Sequence, residues 1–153
     1  MPIKDKIMDD IKTAMKARDQ LRLDTLRMVK AKIQEKEVEL RGKKGREYVL
    51  EEEEVLQVLT TAAKQRRDSI ESFRSGGREE LAVKEEAELA VIQEYLPKQL
   101  SDADLEALVK EAVAETGASS PKDMGSVMKA VMPKVKGQAD GKRINAVVRK
   151  LLV

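Results

Sequence analysis

An all-α fold in two parts is what this sequence predicts: an N-terminal helical bundle of about four helices over residues 1–96, and a small C-terminal three-helix domain over 97–153. Three observations carry that expectation. Apolar residues recur three and four apart along most of the chain, and nothing alternates with period two for long enough to make a strand. Two Tyr and one Phe are the only aromatics, so Leu, Val, Ile, Ala and Met must build the core. Charged residues reach 38% against 41% apolar, the balance of amphipathic helices around a narrow core.

The elements follow in order. Ile3, Ile7, Ile11, Ala14 and Met15 mark the first helix. Asp19 can cap a second, with Leu23, Leu26, Val29 and Ile33 inward and an end near Arg41, where two glycines and several cations follow. Glu51–Glu54 opens a third at the positive end of its dipole, without Ser, Thr or Asp as N-cap. Its face is Val55, Leu56, Leu59, Ala62, Ala63, Ile70 and Phe73, and Ser75-Gly76-Gly77 stops it. A fourth runs from about Arg78 to Leu96, where Pro97 blocks continuation and sets the boundary between the halves.

Beyond Pro97, Ser101 and Asp104 resemble a capping box ahead of Leu105, Leu108, Val109, Ala112 and Val113, with Gly117 as the stop. Ser120-Pro121 caps the next helix, which carries Met124, Val127, Met128, Val131 and Met132 up to Pro133. The turn Lys136-Gly137-Gln138-Ala139-Asp140-Gly141-Lys142 precedes a last helix with Ile144, Val147, Val148 and Leu151 inward. Fifty-odd residues lie near the lower limit for independent folding, so the halves are expected to support one another.

Composition excludes several chemistries. There is no Cys and no His, hence no thiolate zinc site, disulfide framework, Cys–His or Ser–His nucleophile, or histidine acid–base catalysis. No cofactor and no metal site is expected. Residues 1–12 contain acids and lack a long apolar run, unlike a signal peptide, and no stretch approaches a membrane span. These features predict a cytoplasmic protein with no membrane partner.

Charge is the positive signal. The net of +2 divides into +6 over residues 1–46, −10 over 47–128 and +6 over 129–153, where Asp140 is the only acid. Lys129, Lys134, Lys136, Lys142, Arg143, Arg149 and Lys150 cluster around two helix ends and a turn. Arg143 and Lys150 share one face of the last helix, and Lys142 and Arg149 an adjacent stripe. Such a block attracts phosphates or forms a solvated surface. Gly137 and Gly141 either free backbone N–H groups for an anion or satisfy a tight connection. No aromatic lies in the block, so an RNA partner would be recognised by backbone and shape rather than by base stacking. The Met124, Met128, Met132 stripe reads as core or helix-docking face, Glu51–Glu54 as a helix start, and Lys64 to Arg74 as a polar network between helices.

Lys64-Gln65-Arg66, Asp68-Ser69-Ile70, Phe73, Gly76-Gly77-Arg78, Tyr95-Leu96-Pro97, Gln99-Leu100-Ser101, Asp123-Met124-Gly125, Val127-Met128, Met132-Pro133 and the Lys136–Lys142 turn, in that order, resemble the YqeY-like (GatB/YqeY) family. The resemblance covers nearly the whole chain; Gln138 stands where the family usually has Arg, one cation fewer in the turn. It implies an all-helical fold and kinship with the C-terminal tail of the B subunit of tRNA-dependent amidotransferase, which helps hold tRNA. By matching position it points to Lys129, Lys134, Lys136, Gly137, Gly141, Lys142, Arg143 and Asn145 as RNA-binding, beside Arg149 and Lys150 from the charge pattern. The family is described by carbon–nitrogen ligase activity with glutamine as amido-N-donor. Carboxylate, Lys and Ser/Thr chemistries stay open on composition, but the chain has no Cys, no Gly/Ser-rich amidase-like segment and no carboxylate pair placed for a metal, so the expected role is a tRNA- or RNA-binding accessory module, not catalytic by itself. Amidotransferase subunits or an aminoacyl-tRNA enzyme are the implied protein partners. A helical protein-interaction adaptor without RNA binding, and a subunit completing an amidotransferase in trans, are the rival readings.

Overall fold

The computed structural model describes residues 1–136 and 138–153. Among these are seven α-helices and no strand: α1 (Ile3–Ala17), α2 (Gln20–Lys44), α3 (Glu52–Ser75), α4 (Glu79–Gln93), α5 (Asp102–Thr116), α6 (Met124–Val131) and α7 (Gly141–Leu151). They fall into two compact units, Met1–Leu96 and Pro97–Val153. The protein is all-α.

In the first unit α1 lies against α2, α3 against α4, and α2 also meets α4. Ile7, Leu26, Val29, Ile33, Val55, Leu59, Ala63 and Ile92 form its buried centre. The α1 stripe stops at Ala14, because Met15 is half exposed. Asp19 caps α2 by accepting from the Arg22 N–H. The helix then runs through Gly42 to Lys44 instead of ending near Arg41. Arg41 explains the extension: its guanidinium is held by Glu37 (2.9 Å) and the Tyr48 carbonyl (3.0 Å), which offsets the roughly 1 kcal/mol a glycine costs inside a helix. At the start of α3, where no Ser, Thr or Asp is available, the Glu54 carboxylate turns back to accept from the Glu51 N–H at 3.0 Å, one arm of a capping box. The polar residues of α3 reach across to α4. Arg66 Nε lies 3.1 Å from Glu88 and 3.3 Å from Glu85, while Arg74 meets Glu79 and Glu86.

α1 closes on Arg18, which has φ 56°, a left-handed conformation that disfavours a β-carbon. Arg18→Gly should raise stability by about 0.5 kcal/mol, since the relieved strain exceeds glycine's larger unfolded-state entropy. Thermal melting checks this as a rise of roughly 2–4 °C; a lower melting temperature would show that the Arg18 side chain, not its backbone, matters at this corner.

The second unit packs α5, α6 and α7 around Leu105, Val109, Ala112, Val127, Val131, Ile144 and Val148. Ser101 Oγ accepts from the Asp104 N–H at 3.1 Å to start α5, and Gly117, at φ 68°, ends it in a left-handed cap. Ser120-Pro121 opens a 3₁₀ turn, Pro121–Asp123, before α6. Asp123 tightens that turn by accepting from the N–H groups of Ser119 (3.0 Å) and Ser120 (3.3 Å), and these bonds hold its carboxyl below the usual range. A second 3₁₀ turn, Met132–Lys134, absorbs Pro133 after α6. Met124 and Met128 pack against the core, whereas Met132 is 46% exposed. The stripe is therefore core over two of its three residues. Among the described residues no helix is long and apolar enough to cross a membrane.

Candidate nucleic-acid interface

The cationic block sits on the second unit, and α7 organises most of it. Asp140 sets the helix start: its carboxylate accepts from the Arg143 N–H at 2.8 Å. With Ile144 and Val148 buried, the 3.6-residue repeat turns Lys142, Ala146, Arg149 and Lys150 outward. Gly141, Lys142, Asn145, Ala146 and Arg149 line a shallow groove of about 390 Å³ along this outer face.

Charge in this unit is sorted by helix. α5 carries Asp102, Asp104, Glu106, Glu111 and Glu115 against one Lys, whereas α7 carries Lys142, Arg143, Arg149 and Lys150 and no acid. Helices of opposite sign steer a polyanion to one side of the unit.

Several of the predicted residues are engaged within the fold. Arg143 Nη2 donates to the Leu100 carbonyl (2.8 Å) and to Asp102 Oδ1 (2.9 Å), bracing the segment before α5. Lys134 Nζ pairs with Glu115 Oε2 at 3.1 Å. Lys129 and Lys136 are exposed on α6 and on the turn. Arg149 and Lys150 are exposed at the end of α7 and make no ion pair with the described residues. Gly137 lies outside the described residues. Gly141 has ordinary helical backbone and open space where a β-carbon would sit, so neither strain nor packing demands glycine there. The described backbone of the turn is engaged internally: the Gln138 N–H donates to the Val135 carbonyl (2.9 Å), and the Gln138 carbonyl accepts from Leu100 N–H (2.8 Å). The bracing roles of Arg143 and Lys134 were not legible in the charge pattern. Acids at Asp102 and Glu115, far off in sequence, take them up, and the Ser101–Asp104 cap was the only hint that Asp102 would sit at a helix start.

Taken together, fold and surface define a class: a two-unit all-helical protein whose C-terminal unit presents a cationic, small-floored groove. Comparison with known proteins makes this more specific. The family described as Yqey-like protein matches residues 4–152, and the chain belongs to that family. Among curated relatives, "Altered inheritance of mitochondria protein 41, mitochondrial" of Lachancea thermotolerans is 34% identical over 73% of this chain and 58% of its own length. The protein of that name from Pyrenophora tritici-repentis is 29% identical over 88% of this chain and 71% of its own. That from Saccharomyces cerevisiae (strain YJM789) is 32% identical over 67% and 54%. The chain thus spans little more than half the length of two of these relatives. Their names correct the expectation of a cytoplasmic protein, since they point to mitochondria. The physical reason is that a compartment is written in targeting segments, not in the packing or surface of a folded helical unit.

Proposed function

We propose that this protein is an RNA-binding accessory module of tRNA metabolism, related to tRNA-dependent amidotransferase, which holds tRNA through the outer face of α7 and contributes no bond-making group. The observation that carries this reading is the sorting of charge between α5 and α7, with the α7 groove flanked by Lys142 and Arg149. Amidotransferase subunits or an aminoacyl-tRNA enzyme are the partners it would serve. The test is binding of total tRNA across a salt series, with the Lys142→Glu/Arg149→Glu variant alongside. Arg143 is left intact because reversing it would break its links to Leu100 and Asp102. Wild-type affinity should fall as salt rises. The variant should bind at least about tenfold more weakly, with a slope flatter by roughly 1.4–1.8, the share of two phosphate contacts. Equal affinity and slope in the two proteins would remove α7 from the interface.

A protein-interaction adaptor is the second reading, favoured by a groove of about 500 Å³ lined by α2 and α3, where Val58 and Ala62 lie among Lys32, Lys36, Glu35, Glu39 and Glu54. It predicts partners that survive nuclease treatment. Loss of every partner on nuclease digestion would return the choice to RNA.

A further inference from the structure

The α7 groove holds one feature that phosphate attraction does not use. Asn145 lies between Lys142 and Arg149, half buried, and no hydrogen bond from the described residues reaches its amide. Lys and Arg side chains only donate, whereas an amide both donates and accepts. The ribose 2′-hydroxyl is likewise donor and acceptor, and it is the group that separates RNA from DNA. The floor beside Asn145 is Gly141 and Ala146, so a sugar can approach the helix closely. Lys142 and Arg149 are seven residues apart, about 10.5 Å along the helix axis, with the amide between them. Residues 97–153 contain no aromatic on which an unpaired base could stack. Double-helical RNA, by contrast, displays its 2′-hydroxyls and phosphates on a wide, shallow minor groove that a helix face can meet.

We propose that the α7 groove is a ribose–phosphate site for double-helical RNA, in which Lys142 and Arg149 hold phosphates and the Asn145 amide bonds a 2′-hydroxyl between them. This rests on the RNA-binding reading above and adds what that reading leaves open: duplex over single strand, and RNA over DNA. Acids on α5 disfavour approach of the polyanion from that side of the unit.

The experiment uses the full chain and three probes: an RNA duplex of about 16 base pairs, a DNA duplex of the same sequence, and single-stranded oligouridylate of matched phosphate number. The RNA duplex should bind about fivefold to tenfold more tightly than the DNA duplex, the share of one or two hydrogen bonds, and more tightly than the single strand. Asn145→Ala should bring RNA and DNA duplexes level without changing the salt slope, because no cation is lost. Alanine favours helix, so circular dichroism should show α7 retained. Equal wild-type affinity for the two duplexes, preference for the single strand, or a preference that survives Asn145→Ala would overturn this inference while leaving tRNA binding in place. Binding to no RNA at all would overturn the RNA-binding reading itself.

Discussion

Glu37→Ala should destabilise the first unit by about 2–3 kcal/mol, a large share of what a helical unit of this size has. Glu37 is 7% exposed, the most enclosed carboxylate described. It accepts from Lys4 Nζ (2.8 Å), Arg41 Nη2 (2.9 Å) and the Leu50 N–H (3.3 Å), and so ties the start of α1, the end of α2 and the 45–51 connection to one another. Alanine leaves the buried Leu50 N–H without an acceptor. Lys4 and Arg41 recover part of the loss, because both are more than a third exposed and can turn to water. Glu37→Gln keeps an acceptor and should cost about half as much.

The same site gives a pH dependence with a definite sign. The Lys4 hydrogen bond, helped by Leu50 and by the charge of Arg41, holds the Glu37 carboxyl below its ordinary value. A lowered acid contributes stability that is fully present above its unfolded pKa, about 4.3, and is lost as pH falls through the folded value. Denaturant titrations at pH 7 and pH 3 should therefore show a smaller gap between wild type and Glu37→Gln at the lower pH. An unchanged gap would mean that the charge of Glu37 is idle. Glu85 runs the other way: burial first, then the Glu88 carboxylate, pushes it up, so its ionisation detracts from stability as pH rises.

The second large effect is expected at Leu105. Its side chain is fully enclosed among residues of α5, α6 and α7, and Leu105→Ala should cost about 3 kcal/mol from lost transfer energy and the cavity left behind. A unit of 57 residues has on the order of 3–8 kcal/mol in all, so that change should bring it to the edge of unfolding. The RNA binding proposed for α7 should collapse with it, although Lys142, Asn145 and Arg149 are untouched. Leu105→Met, of similar volume, should keep most of both. Urea melts followed by circular dichroism, run beside tRNA titrations, check the pairing of the two losses. Retained RNA affinity in a Leu105→Ala protein whose α5–α7 helicity is gone would mean that the cations act as a loose polybasic segment and need no fold.

How much of this was legible in the residues differs by element. The helical class was, because apolar spacing of three and four records directly which side of each helix meets a core. Caps with local chemistry were legible as well: Asp19, Ser101 and Gly117 act over three or four residues, within reach of a sequence motif. Element ends that depend on remote partners were not. α2 runs past Arg41 because Glu37 and Tyr48 hold that guanidinium. Met15 extends the apolar spacing of α1 and still ends half exposed, since it stands about 100° around the helix from the buried Ala14.

The candidate site divides along the same line. Sequence by itself determined that the chain is helical, that the cations gather after residue 128, and that no thiol or imidazole chemistry is open to it. Only the tertiary structure decided which cations face outward. Arg143 and Arg149 look alike in sequence, yet one is drawn onto Asp102 and the Leu100 carbonyl while the other lines an open groove beside Asn145. Local spacing fixes the direction in which a side chain leaves its helix. Whether a counter-charge waits there depends on residues forty positions away in the chain, and only the packed fold brings them to it.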